Sequence, residues 1–148
     1  MELTINKTEK LQGEITIPSS KSHTIRAVLI ASLAKGRSKL INPLMSEDTK
    51  AALNACRALG AKIEQKDNML FVDGFGPDPQ KPAEVIDMLN SGTSTNLTIG
   101  ILAALGIKAE ITGDASLRSR PVIALTEALT GLGCSIKFLE KQTICYRH

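Results

Sequence analysis

Gly13-Glu14-Ile15-Thr16-Ile17-Pro18-Ser19-Ser20-Lys21-Ser22-His23-Thr24-Ile25-Arg26 is the stretch whose reading decides the architecture. Its first half alternates apolar and polar residues and predicts a strand over 12–17. Pro18 ends that run, because proline has no N–H to give to a sheet. Ser19 and Ser20 then form a turn, and from Lys21 onward Ile25, Val28, Leu29 and Leu33 recur at helical spacing. The spacing predicts a helix over 21–35 with Gly36 as its stop. A strand feeding a helix through a short turn is the opening of an α/β chain. The helix starts with a cation, Lys21, at the end where the helix dipole is already positive. An anion held by the free N–H groups and the ammonium together would give that placement a purpose. Arg26 lies four residues after Ser22 and shares a helix face with it. A solvent-facing helix start with scattered basic residues is the other reading of the same stretch.

Outward from this stretch the pattern continues. Residues 37–41 read as a strand. Ser46 caps a helix that runs to Leu59, with Glu47 and Asp48 in its favourable first turn and Gly60 as its end. Residues 61–65 and 69–72 form a hairpin around Lys66-Asp67-Asn68, and 74–79 reads as loop. The order then recurs. A strand over 84–89 meets the turn Asn90-Ser91-Gly92-Thr93-Ser94-Thr95-Asn96, which opens a helix ending at Leu105-Gly106. A strand over 107–112, a polar loop over 113–120, a helix from Pro121 to Leu132, a strand over 134–139 and a last strand over 143–146 follow. Leu59-Gly60-Ala61-Lys62-Ile63 has its echo in Leu132-Gly133-Cys134-Ser135-Ile136. The expectation is an α/β (α+β) chain of two repeated β-α-β-α-β-β modules, 12–83 and 84–148, with helices on one side of mixed sheets.

In both copies a Ser/Thr-rich turn opens the first helix, offering Ser19, Ser20 and Ser22 in one and Ser91, Thr93 and Ser94 in the other. Packed side by side, the two helix starts would point free N–H groups and hydroxyls at one place. Gly92 would let a ligand come close to the backbone. Arg118 and Arg120 would add guanidinium forks suited to carboxylate or phosphate. As capping chemistry and a solvated loop, the same residues have a purely structural reading.

Composition narrows the function classes. The 148 residues are 43% hydrophobic and 22% charged, with a net charge of +3, which suits a globular chain with a mild preference for anions. One tyrosine and no tryptophan leave almost nothing on which bases could stack, so no nucleic-acid role is expected. No apolar run is long enough for a membrane span, and the N-terminus lacks the pattern of a signal peptide. Cys56, Cys134 and Cys145 have no short metal-ligand spacing and read as reduced thiols of a cytoplasmic protein, with no metal site.

Three stretches, Pro18–Arg26, Asn90-Ser91-Gly92-Thr93 and Gly113-Asp114-Ala115-Ser116-Leu117-Arg118-Ser119-Arg120-Pro121, resemble the motifs of the enolpyruvyl transferases. Ser46-Glu47-Asp48-Thr49 and Leu59-Gly60-Ala61 fit the same pattern. The spacing of Lys21, Ser22 and Arg26 resembles the branch that acts on shikimate 3-phosphate rather than the UDP-N-acetylglucosamine branch. The resemblance implies the inside-out domain of that family. It implies transfer of the enolpyruvyl group of phosphoenolpyruvate to the 5-hydroxyl of shikimate 3-phosphate, with release of phosphate. Lys21 would touch both substrates and serve catalysis. Ser22 and Arg26 would hold shikimate 3-phosphate, Gly92 would present its N–H to phosphoenolpyruvate, and Arg120 would bind the phosphate of the latter. Asn90 and Asp48 would shape the site from beside it, with Thr93 and Arg118 in support. No metal or organic cofactor is implied, and the partners are the two substrates.

The chain departs from the family pattern at Asn96, where an arginine is usual, and at Ser19, where glycine is usual. The family's enzymes are also much longer, with further modules that bring more substrate-binding and catalytic groups. The expectation is therefore a truncated piece, inactive or weakly active alone, able to self-associate through exposed module edges. The alternative is a non-catalytic module that binds phosphorylated metabolites or serves assembly.

Overall fold

The computed structural model describes residues 3–7, 9–138 and 143–147, the last of these as backbone. Helix α1 (Lys21–Leu33) leads into strand β1 (Lys35–Ile41), helix α2 (Glu47–Ala58) and the hairpin β2 (Lys62–Lys66) and β3 (Met69–Phe75). A short strand β4 (Ile86–Asp87) then precedes α3 (Gly92–Leu105), β5 (Ala109–Thr112), a one-turn α4 (Ala115–Arg118), α5 (Ile123–Gly131) and the hairpin β6 (Cys134–Phe138) and β7 (Thr143–Arg147). One sheet has the order β1-β3-β2 and is antiparallel throughout. The other has the order β4-β5-β7-β6, with β4 parallel to β5 and the rest antiparallel. No helix of the described residues is long and apolar enough to cross a membrane.

The helix starts follow from local chemistry. Ser20, Ser46 and Ser91 each stand in extended backbone, and each accepts a hydrogen bond from the N–H three residues on. Each thereby satisfies one of the donors that a helix leaves free at its first turn. At the far end of α3, Gly106 takes the left-handed φ of +67° that closes the helix.

Helix α2 sits at the centre. Ala51, Ala55 and Leu59 belong to one buried cluster with Ile99, Leu102 and Met88. Ala52, Leu53 and Cys56 belong to a second with Ile25, Val28, Leu29, Leu70 and Val72. Ala51, Ala52 and Ala55 are fully buried, so α1 and α3 approach the α2 backbone closely on two sides. The β1-β3-β2 sheet covers α1 and α2 with Leu70, Val72 and Ile63, and turns a polar face outward. There Arg37 lies over the ring of Phe71 and pairs with Glu64 at 3.0 Å.

Several expectations change. Residues 12–17 form no strand and join neither sheet, with Ile15 82% and Ile17 68% exposed. A strand needs a partner edge, and none of the described residues offers these apolar side chains a surface. The β1-β3-β2 sheet is accordingly antiparallel rather than mixed. The strand expected over 84–89 shrinks to Ile86–Asp87, because Leu89 turns to a φ of +53° to start the bend into α3. Gly36 lies inside β1 and Ala34 closes α1. Gly74 and Phe75 extend β3 rather than forming loop. Within the polar loop over 113–120, Asp114 caps the helical turn α4, and Pro121 precedes α5 instead of joining it.

Gly74 explains why its strand passes so close to α1. A methyl group there would collide with the carbonyl oxygens of Ala31 and Ala34 at the end of that helix, and backbone cannot give way as a side chain does. Gly74→Ala is expected to cost about 2–4 kcal/mol of stability. Urea unfolding followed by circular dichroism checks this, and a loss under about 0.5 kcal/mol would contradict it.

Candidate anion site

The site begins with a staple between α1 and α2. Thr24 Oγ1, in the second turn of α1, accepts the Leu44 N–H at 3.0 Å. The carbonyl of Leu44 accepts from Thr49 Oγ1 at 2.8 Å. Both threonines are buried, so the entry loop of α2 is pinned to the side of α1. That sets the first turns of the two helices side by side. Lys21 Nζ then reaches Asp48 Oδ2 at 2.8 Å.

Helix α3 joins from the other side. Ser94 Oγ donates to the carbonyl of Asp48 at 2.9 Å and accepts from Ser91 Oγ at 2.8 Å. The N-termini of α1, α2 and α3 thus meet around Asp48, and each brings the positive end of a helix dipole. The bend before α3 is held by two bonds. The N–H of Leu89 donates to Asp87 Oδ1 at 2.8 Å, and its carbonyl accepts from the N–H of Asp114 at 2.9 Å. Asn90 follows that bend. Its Nδ2 donates to Asp114 Oδ2 at 2.7 Å, and its Oδ1 accepts from Arg120 Nη2. Arg120 in turn lies beside Gly92: a Cβ on that glycine would stand 3.2 Å from Arg120 Nη1. Glycine at this place leaves room for the guanidinium.

The titration of Asp48 is displaced. The Lys21 hydrogen bond holds its carboxyl below the ordinary aspartate value; partial burial works in the opposite direction, and a Ser91 hydrogen bond and the charges of Lys21 and Arg120 add to the lowering. Elsewhere, burial pushes the Cys56 thiol up to about 11, so it behaves as a small apolar group.

The structure brings together Lys21, Asp48, Asn90, Gly92 and Arg120. Ser22 and Arg26 stand on the adjoining face of α1, where Arg26 Nη1 donates to the carbonyl of Ser22 at 3.1 Å. Thr93 is exposed at the start of α3, and Arg118 is exposed on α4, without a described contact to Lys21 or Arg120. One expectation is corrected. The hydroxyls of Ser91 and Ser94 are not offered to a ligand; both are buried in the contact between α2 and α3. The sequence reading also missed Asp114 as the partner of Asn90, and Thr24 and Thr49 as the staple. A Ser-x-x-Ser pattern at the α3 start was the available signal for the buried serines, while neither the Asn90–Asp114 pair nor the staple has a local signature.

Helix N-termini, a lysine and an arginine gathered in one place are elements with which phosphate or carboxylate groups can be held. Comparison with known proteins narrows this. The family model described as EPSP synthase (3-phosphoshikimate 1-carboxyvinyltransferase) matches residues 5–145, and the chain belongs to that family. The 3-phosphoshikimate 1-carboxyvinyltransferase of Acetivibrio thermocellus is 49% identical over 126 residues, covering 84% of this chain and 29% of that protein. The protein of the same name from Methanothermobacter thermautotrophicus is 43% identical over 133 residues, covering 90% and 32%. A solved EPSP synthase from Acinetobacter baumannii superposes with a TM-score of 0.83 at 31% identity, covering 90% of this chain and 32% of that one. The chain therefore spans about a third of the length of the relatives it matches.

The pair of Lys21 and Asp48 has a testable signature. Its side chains are 49% and 27% exposed, so screening keeps its contribution to about 0.5–1 kcal/mol. A carboxylate with a depressed titration stabilises the fold above its unfolded pKa, and that stability is lost as pH falls through the folded value. The stability difference between the wild type and Asp48→Asn should hold steady above about pH 5 and shrink below about pH 4. Urea midpoints measured from pH 3 to 7 check it; a difference that does not vary with pH would refute the assignment.

Proposed function

We propose that this chain is the part of an EPSP synthase that receives anionic substrate groups. In the complete protein the enolpyruvyl group of phosphoenolpyruvate would move to the 5-hydroxyl of shikimate 3-phosphate, and phosphate would leave. The observation that carries the reading is the meeting of the first turns of α1, α2 and α3 beside Lys21 and Arg120. Relatives 42–49% identical to this chain carry that transferase name.

The physical logic is positioning of two anions and stabilisation of charge that shifts during the transfer. A bond forms from the hydroxyl oxygen to the enolpyruvyl carbon, the bond from that carbon to the phosphate oxygen breaks, and the hydroxyl proton leaves. In this reading Lys21 touches both substrates and serves catalysis. Ser22 and Arg26 hold shikimate 3-phosphate on the neighbouring face of α1. Gly92 presents its N–H, and Arg120 takes the phosphate of phosphoenolpyruvate. Asn90 and Asp48 act from beside the substrates by holding Arg120 and Lys21. Thr93 and Arg118 support the rim.

The reading includes a duplicated α-β-α-β-β unit, with one copy within 12–83 and one within 84–148, the leading strand of the expected β-α-β-α-β-β unit being formed only in the second. The equal order of the two sheets supports it: β1-β3-β2 repeats as β5-β7-β6. Each set is reached through the same succession of helix, strand, helix and hairpin, with α4 added in the second copy.

A second reading is favoured by the length of the match, about a third of each relative. In it the chain alone binds phosphorylated metabolites without turning them over. One titration calorimetry series addresses both. Shikimate 3-phosphate is expected to bind the wild type, and Lys21→Ala is expected to weaken binding by at least tenfold, about the worth of one lost charge-assisted contact. An unaffected Lys21→Ala variant would overturn the site. Release of phosphate from a mixture of both substrates, measured on the same preparation, separates catalysis from binding alone.

A further inference from the structure

We propose that the buried hydroxyls of Ser91 and Ser94 form a positioning pair, which fixes Asp48 and through it the Lys21 ammonium without touching the ligand. This deepens the reading above and rests on it only for what the site binds. Both serines are completely buried. Ser94 Oγ donates to the Asp48 carbonyl at 2.9 Å. Ser91 Oγ gives its proton to Ser94 Oγ at 2.8 Å, and it also stands near enough to the Asp48 carboxyl to help hold that group below its ordinary value. The Asp48 backbone is therefore held by Ser94, which Ser91 in turn holds. The Asp48 carboxylate holds Lys21 at 2.8 Å.

The two hydroxyls are not equivalent. The Asp48 carbonyl also receives the intrahelical N–H four residues on, so loss of Ser94 Oγ leaves it paired. That loss deletes the acceptor competing for the Ser91 proton, which then turns wholly to the carboxylate. Loss of Ser91 Oγ removes the proton itself. The charged groups that act on Asp48 from the packed elements are Lys21 on α1 and Arg120 after α4, and both remain in either variant. Ser91→Ala should therefore raise the Asp48 titration midpoint, whereas Ser94→Ala should leave it or lower it. Simple loosening of the α2–α3 contact would move it alike in both.

The test is a carboxyl-carbon NMR titration of Asp48 in the full chain, for the wild type, Ser91→Ala and Ser94→Ala, with inorganic phosphate titrated into each at neutral pH. Ser91→Gly is added because glycine keeps most of the helix-start stability and lacks the hydroxyl. The expected result is a raised midpoint in the Ser91 variants alone, with phosphate binding about two- to tenfold weaker, the range of one lost hydrogen bond. An unchanged midpoint in the Ser91 variants, or an upward shift in all, overturns the proposal. Failure of the wild type to bind phosphate would instead overturn the functional reading, while the carboxyl titration still decides what the serines do.

Discussion

The close approach of α1 and α3 to α2 is the constraint on which the structure depends. Ala51, Ala52 and Ala55 line the two sides of α2, and none of them exposes any surface. Larger side chains there would push the neighbouring helices outward by the width of the added atoms, and dense interiors transmit such shifts rather than absorbing them. The polar contacts at the helix starts work over hydrogen-bond distances. Ser94 Oγ could not reach the Asp48 carbonyl, nor Lys21 its carboxylate, if the helix axes separated by even an ångström or two. The site is thus a consequence of small residues within about two turns of it along α2.

The sequence made the helix starts legible because their chemistry is local. Ser46 with Glu47 and Asp48 behind it states a helix N-terminus within four residues, and the helix begins there. The hairpin at Asp67-Asn68 was legible for the same reason. Strands fared worse, because a strand is defined by its partner. The alternation in residues 12–17 is genuine, yet its apolar side chains have no surface to meet among the described residues. The strand over 84–89 fails at Leu89, which adopts a left-handed φ that a leucine avoids. Two bonds, from Asp87 and Asp114, hold it there, and neither could be anticipated from the pattern.

The candidate site was legible in its residues and not in its wiring. Lys21, Gly92 and Arg120 stand out by type and place, since a cation at a helix start and a glycine in a capping turn are both unusual choices. That Ser91 and Ser94 face inward depends on the orientation of α3 against α2, which is a matter of packing. The same hydroxyl types serve outward at one helix start and inward at another. Residue type proposes the chemistry, and tertiary contact assigns the direction.

Asp48 raises the last question, because a carboxylate is an odd neighbour for the proposed anion site. Its presence follows from electrostatic cost. Three helix N-termini and two cations brought together without a ligand would repel one another, and partial burial would deepen the penalty. One carboxylate offsets part of that repulsion and holds Lys21 in place, so little side-chain freedom remains to be lost when an anion arrives. The titration of Asp48 is lowered first by its hydrogen bond to Lys21, and the charges of Lys21 and Arg120 add to the lowering. Asn90 plays the matching part for Arg120 with a neutral amide, backed by Asp114. An aspartate in direct contact with each cation would cancel their charge, and a neutral amide at both would leave the repulsion unrelieved. One of each leaves both cations already in position, with only Lys21 in direct contact with a carboxylate.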